Sequence, residues 1–283
     1  MSPTTRGLFA MSVAVLIWAG WIVAVRDAAA RVGAVDLAVL RYAIPAALLA
    51  PVWLRRGVLA RGVAPWRVGV MTLGWGAPFV LMGAQGLKAA DVSLFAAMVP
   101  GMMPLWLAAL GAAFAGMRPS RAGLAGLGMI AAAGALALAG ASGGSLAGAP
   151  WLAAASVGWA AYALAFRGAG LTPVEATAIV AFWSTVGLAP VVAATGSGLE
   201  ALPVGELAAL ALAHGVLSGV VSVAAFAAAV RDLGVARAAA FPALVPTLAV
   251  AGAWVWLGEA PGVMAAAAVA LAAAGVALVN RGR

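Results

Sequence analysis

The sequence predicts an all-α polytopic membrane protein, with ten transmembrane helices arranged as two inverted-topology five-helix repeats. Three observations carry this expectation. Hydrophobic residues make up 66% of the 283-residue chain and charged residues 8%, with mean hydropathy +1.11; a soluble domain of this size needs far more charge to cover its surface. The apolar residues fall into ten runs, each near the roughly 20 residues that a bilayer-crossing helix requires. The two halves also match: Pro100, Pro104, Gly116 and Pro119 recur 142 residues later as Pro242, Pro246, Gly258 and Pro261. Trp18-Ala19 and Arg26 recur 141 residues later as Trp159-Ala160 and Arg167, so one residue separates the two registers.

The first run, 7–25 after Arg6, has the length of a signal peptide, with small residues at Ala28-Ala29-Ala30 for cleavage. Its counterpart around Trp159 recurs inside the fold, which predicts a retained helix. Runs 34–54, 68–87, 92–115 and 122–140 complete the first half. Ala141-Ser142-Gly143-Gly144-Ser145 reads as a flexible join, giving a first repeat 1–140, a linker 141–149 and a second repeat 150–283. Runs 150–166, 174–194, 207–230, 238–257 and 262–279 follow. Thr172-Pro173-Val174-Glu175 reads as a capping box with proline at the first helical position, starting the seventh run. Helices are expected throughout, because unpaired backbone groups cannot face lipid and no period-two barrel pattern appears.

Charge sets the orientation. With the N-terminus in the cytoplasm, twelve of the 16 basic residues fall in inside segments. Arg26, Arg31 and Lys88 fall outside, and Arg41 within the second run. The bias predicts a multi-pass protein of the plasma (inner) membrane with both termini cytoplasmic. The net charge of +8 does not imply a nucleic-acid partner, since the arginines sit in short loops between spans. No cysteine is present, so no disulfide or thiolate metal site is expected. Five helices per repeat is an odd number, so the second repeat must enter the membrane inverted. That arrangement puts an approximate two-fold axis in the membrane plane, with a binding site where the halves meet, a plan shared by many transporters.

Candidate functional residues follow from position. Pro100, Pro104, Pro242 and Pro246 each remove a backbone donor inside an apolar run and crowd the carbonyl four residues earlier; they read either as packing kinks or as bends that shape and gate a pathway. Trp18 and Trp159 lie mid-run, away from the interfaces where tryptophan concentrates, and Tyr162 shares a face with Trp159. They fill space or line a cavity. His214, the single histidine, heads a polar stripe with Ser218 and Ser222, and reads as a cavity hydrogen-bonder, a proton-coupling group, or a neutral imidazole bonded to a neighbouring helix. Arg41 reads as a tether snorkelling to the headgroups or bonded to Asp36, with an anionic-solute contact as the alternative. Trp53, Trp66 and Trp151, at run ends, read as interfacial anchors. The Ala/Gly-rich fifth and tenth runs suit close packing within the chain or across a homodimer. No catalytic, metal or cofactor site is expected: a His214–Ser218 contact lacks an orienting third residue, and no HExxH or nucleotide loop appears.

Trp18-Ala19-Gly20, Arg41 in the second run, and Pro242-x3-Pro246 leading into Leu257-Gly258-Glu259 together resemble the EamA-like transporters of the drug/metabolite transporter superfamily. In the first half the equivalent turn is Gly116-Met117, without the glutamate, which favours a capping role for Glu259 at the start of the last helix. The resemblance implies a central cavity bounded by helices 1, 3, 4, 6, 8 and 9. It adds Trp75 and Gln85 from helix 3, and Met98 and Met102 from helix 4, to a substrate cavity otherwise made of Trp18, Trp159, Tyr162, His214 and Ser218. It further implies a secondary transporter, exporting amino-acid-like or amphipathic small molecules by alternating access. The rival expectation is a non-transporting membrane protein that binds or scrambles lipid or serves as an assembly partner.

Overall fold

The computed structural model describes residues 1–141, 144–238 and 241–281, and these are largely helical, with no strand among them. Ser142 and Gly143 of the expected linker, and Gly282 and Arg283 at the C-terminus, lie outside the described residues. Among the described residues, seven helices are long and apolar enough to cross a membrane: α1 (Pro3–Ala29), α4 (Pro65–Ala89), α5 (Val92–Ala115), α6 (Arg121–Gly140), α7 (Ser145–Arg167), α8 (Pro173–Thr195) and α9 (Val204–Leu233). Between α1 and α4 lies a bent pair, α2 (Ala34–Leu48) and α3 (Ala50–Arg56). Two shorter apolar helices follow α9, α10 (Phe241–Leu257) and α11 (Val263–Val279).

The second run is therefore not one straight helix. It turns by 68° at Leu49, because Pro51 cannot donate a backbone bond and crowds the preceding turn. The Trp53 indole then bonds the Ala46 carbonyl at 2.8 Å. The third run is broken at Gly76, between Pro65–Trp75 and Ala77–Ala89. Ser184 of α8 reaches across and accepts the Ala77 amide at 3.0 Å, satisfying a donor that a continuous helix would have used.

Prolines mark other changes of winding. Pro100 sits in a π turn, Ala97–Gly101, within α5, and Pro104 opens the α-helical segment that follows. Pro242 sits in a 3-10 turn, Phe241–Leu244, and Pro246 opens the next α segment. A longer π stretch, Ala211–Val221, occupies the middle of α9. The capping box forms as spelled in the sequence: the Thr172 amide donates to Glu175 at 2.8 Å, and the Glu175 amide to Thr172 Oγ1 at 3.2 Å.

Packing follows the duplication. α1 packs on α9 and α10; its sequence counterpart α7 packs on α4 and α5. α6 packs on α11, where Gly126 and Gly275 bring the two backbones together; a Cβ on Gly126 would stand 2.7 Å from the Gly275 carbonyl oxygen. These Ala/Gly faces thus meet within the chain. The outer surface is apolar, with Phe114, Trp254, Val255 and Trp256 all exposed, as suits a lipid-facing wall. The buried core runs through Met11, Leu37, Phe95, Leu152 and Ile179.

Candidate substrate site

Trp75, just before the Gly76 break, is the hub of an aromatic cluster. Its ring lies 4.7 Å from Trp159, 4.3 Å from Phe79 and 5.8 Å from Tyr162, centre to centre. Tyr162 stacks on Phe166 at 5.7 Å, and Trp21 joins through Phe79 at 6.3 Å. α4 and α7 approach closely enough to bring these rings together because Gly74 and Gly158 face each other without side chains.

Trp18 is elsewhere. Its indole donates to Ser222 Oγ at 3.1 Å and its ring packs 5.5 Å from Phe226, so it docks α1 on α9 instead of facing Trp159. Met98 is buried in the core, and Met102 lies against Gly134 of α6. His214 is fully buried, and neither ring nitrogen has a hydrogen-bond partner among the described residues; the same holds for Ser218 Oγ.

Two cavities lie along α2. One, of about 620 Å³, opens at the end of the molecule bearing the loops after α1 and α8; Asp36, Met82, Gln85, Trp151, Thr195 and Ser197 line it. The other is a void of about 20 Å³, some five residues deeper on α2, lined by Arg41, Tyr42, Pro45, Trp75, Thr177 and Val180. Of the expected cavity residues, Gln85 lines the wider space and Trp75 the deeper one, and the others line neither.

Arg41 does not extend from the protein surface: it is 7% exposed. Nor does it bond Asp36, whose carboxylate accepts Ser197 Oγ at 2.7 Å and the Gly198 amide at 3.0 Å, pinning the loop after α8. The guanidinium instead sits 5.6 Å from the Trp21 ring and 5.7 Å from that of Tyr42, and the Tyr42 hydroxyl donates to the Trp75 carbonyl at 2.6 Å. Sequence reasoning missed Trp21, Tyr42, Phe79 and Thr177. Trp21, three residues beyond Trp18, was the one with a readable signal, one helical turn along.

Ion pairs fasten both ends. At one, Arg6 pairs with Asp232 at 2.6 Å. At the other, Arg26 pairs with Glu259 at 2.6 Å, and Glu259 also accepts the Val92 amide at 3.1 Å. Glu259 therefore caps α5 of the first half, a correction to its expected place at α11: the Gly258 turn carries the carboxylate toward α5, where Arg26 of α1 is already positioned. The equivalent pair, Arg167 and Met117, is also in contact, with the guanidinium 3.7 Å from the sulfur. Gly116 and Gly258 both adopt left-handed φ, 62° and 70°, and end their helices with matching bonds back to Gly111 and Ala253.

An all-helical apolar bundle with several helices long enough to cross a bilayer defines a multi-pass membrane protein. Residues 146–281, somewhat under half of the chain, match the EamA-like transporter family. The chain is also similar to a solved structure described only as a protein crystal structure, at 25% identity and TM-score 0.61, covering 98% of this chain and 95% of that one. No curated protein matches the sequence.

Proposed function

We propose that the chain is a secondary transporter that moves small organic solutes, amino-acid-like or amphipathic, across the plasma membrane by alternating access. The two repeats, 1–140 and 150–283, are ten helices threaded in opposite senses, with α2–α3 bent into one span and α10 and α11 completing the second half. What supports the inversion is the repeated contact: Arg26 meets position 259 at one end, and its counterpart Arg167 meets position 117 at the other. The observation that carries the transport reading is the pair of cavities on α2: a wide mouth at one end, and beyond it a void of about 20 Å³ around Arg41. A wide space at one end with a small void deeper along the same helix is what one state of an alternating cycle would leave. With both termini cytoplasmic, on the arginine bias, the open mouth faces outward.

The proline-marked segments at Pro100, Pro104, Pro242 and Pro246 are where the halves would flex, and His214 is the group to examine for proton coupling. The test is flux in proteoliposomes. Purified protein, loaded against a mixed metabolite panel with and without a pH gradient, is expected to give saturable uptake or release of at least one small solute. Absence of saturable flux for every solute, in vesicles shown to contain folded protein, overturns the reading. Flux indifferent to the pH gradient in both wild type and His214→Ala removes the proton role alone.

A further inference from the structure

We propose that Arg41 is the anion-binding residue of this site, and that the solute it takes is an organic acid with one carboxylate, held by the guanidinium with its apolar body toward Trp75. The inference rests on the transporter reading and names the substrate class of the same site.

Arginine keeps its charge in proteins and presents five N–H donors. At 7% exposure, Arg41 is more than nine-tenths buried, yet among the described residues it makes no hydrogen bond and no ion pair, and its Nε is closed off from solvent. A charge removed from water without a partner is strongly unfavourable, and ring faces at 5.6 and 5.7 Å answer only part of that cost.

Among the described residues no acidic side chain is free to neutralise it. Of the eight acidic residues, Asp27 and Glu206 are taken by Arg31, Asp36 by the 197–198 loop and Asp91 by its helix start. Glu175 pairs with Arg56, Asp232 with Arg6, and Glu259 with Arg26; Glu200 is exposed in the loop after α8. Gly219 of α9 leaves room for the guanidinium, since a Cβ there would stand 3.0 Å from Nη1. The side chain lines the void that Trp75 and Thr177 also line. A planar fork of donors fits a carboxylate, which accepts two parallel bonds. No second cation lines the void, so a single negative charge balances it where a phosphate dianion would remain half-paired.

The test uses the full chain in phosphatidylcholine nanodiscs, titrated with benzoate and with benzamide, its uncharged counterpart of the same shape, reading thermal stability. Benzoate is expected to raise Tm saturably and benzamide not. Arg41→Gln is expected to weaken benzoate by about tenfold or more, with Arg41→Lys intermediate. The unliganded Tm of Arg41→Gln should equal or exceed that of wild type, because an unpaired buried charge is removed; a structural tether would instead lower it.

Equal shifts from benzoate and benzamide, no shift from benzoate, or a benzoate shift that survives in Arg41→Gln overturns the proposal. So does an Arg41-dependent gain in Tm in phosphatidylglycerol nanodiscs without any benzoate effect, which assigns the charge to a lipid headgroup. Failure of the two readings stays distinguishable. Saturable flux of neutral solutes that Arg41→Gln leaves unchanged keeps transport and removes the carboxylate site. Arg41-dependent benzoate binding with no flux of any solute keeps the site and removes transport.

Discussion

Glu259 bonds two partners, and neither belongs to its own half of the chain: Arg26 of α1 and the Val92 amide at the start of α5. Replacing it with glutamine keeps the shape but removes the charge that both donors favour. With both side chains of the pair about one-quarter exposed, the expected loss is about 1–2 kcal/mol, read as a fall in Tm for Glu259→Gln. A Tm unchanged from wild type would mean that the pair adds nothing net. Residues of this kind were not legible in advance. The Thr172–Glu175 box was, because its partners lie three residues apart and its geometry is fixed by the helix itself. Arg26 and Glu259 are separated by 233 residues, and no local rule joins them. Trp18 and Trp159 look equivalent in sequence, yet one docks on Ser222 and the other joins Trp75, because their surroundings come from different helices. Arg41 was visible as an intramembrane charge; that Asp36 would turn to the 197–198 loop and leave it alone was not.

At the scale of helices, small residues decide where backbones can touch. Between α6 and α11 a side chain at position 126 would collide with the Gly275 carbonyl, a backbone atom that cannot swing aside. Gly126→Val is therefore expected to cost about 1–3 kcal/mol by overpacking, seen as a lower Tm. Gly128→Ala, two residues on with open space at its Cβ, should stay within about 0.5 kcal/mol of wild type. Equal effects would mean that this helix pair is not tightly seated. The expected helix positions followed from hydrophobic run length, and the helix ends from glycine and proline. The breaks were harder to read: Gly74-Trp75-Gly76-Ala77-Pro78 is as apolar as a continuous span, and what opens it is Pro78, which has no donor for the Gly74 carbonyl, together with Ser184 from α8, which offers the Ala77 amide a different acceptor. The π stretch in α9 has no sequence signature at all in Ala211–Val221.

At the scale of the molecule, helices that correspond in sequence make corresponding contacts: α1 against α9 and α10, and α7 against α4 and α5, while α6 lies against α11. The opposed threading proposed above has a direct test, helped by a chain without cysteine. Ser2→Cys and Ser145→Cys, made singly and probed with a membrane-impermeant thiol reagent on oriented vesicles, are expected to react from opposite sides. Labelling of both from one face would remove the inverted arrangement and the midplane pathway with it.

The smallness of the space beside Arg41 governs tempo as well as shape. At about 20 Å³ it has room for little more than a single water molecule, so an organic guest must wait for the walls built by α2, α4 and α8 to separate. Raising the guest's concentration then quickens capture only up to a ceiling set by how often those walls part, and encounter by diffusion ceases to be the slow event.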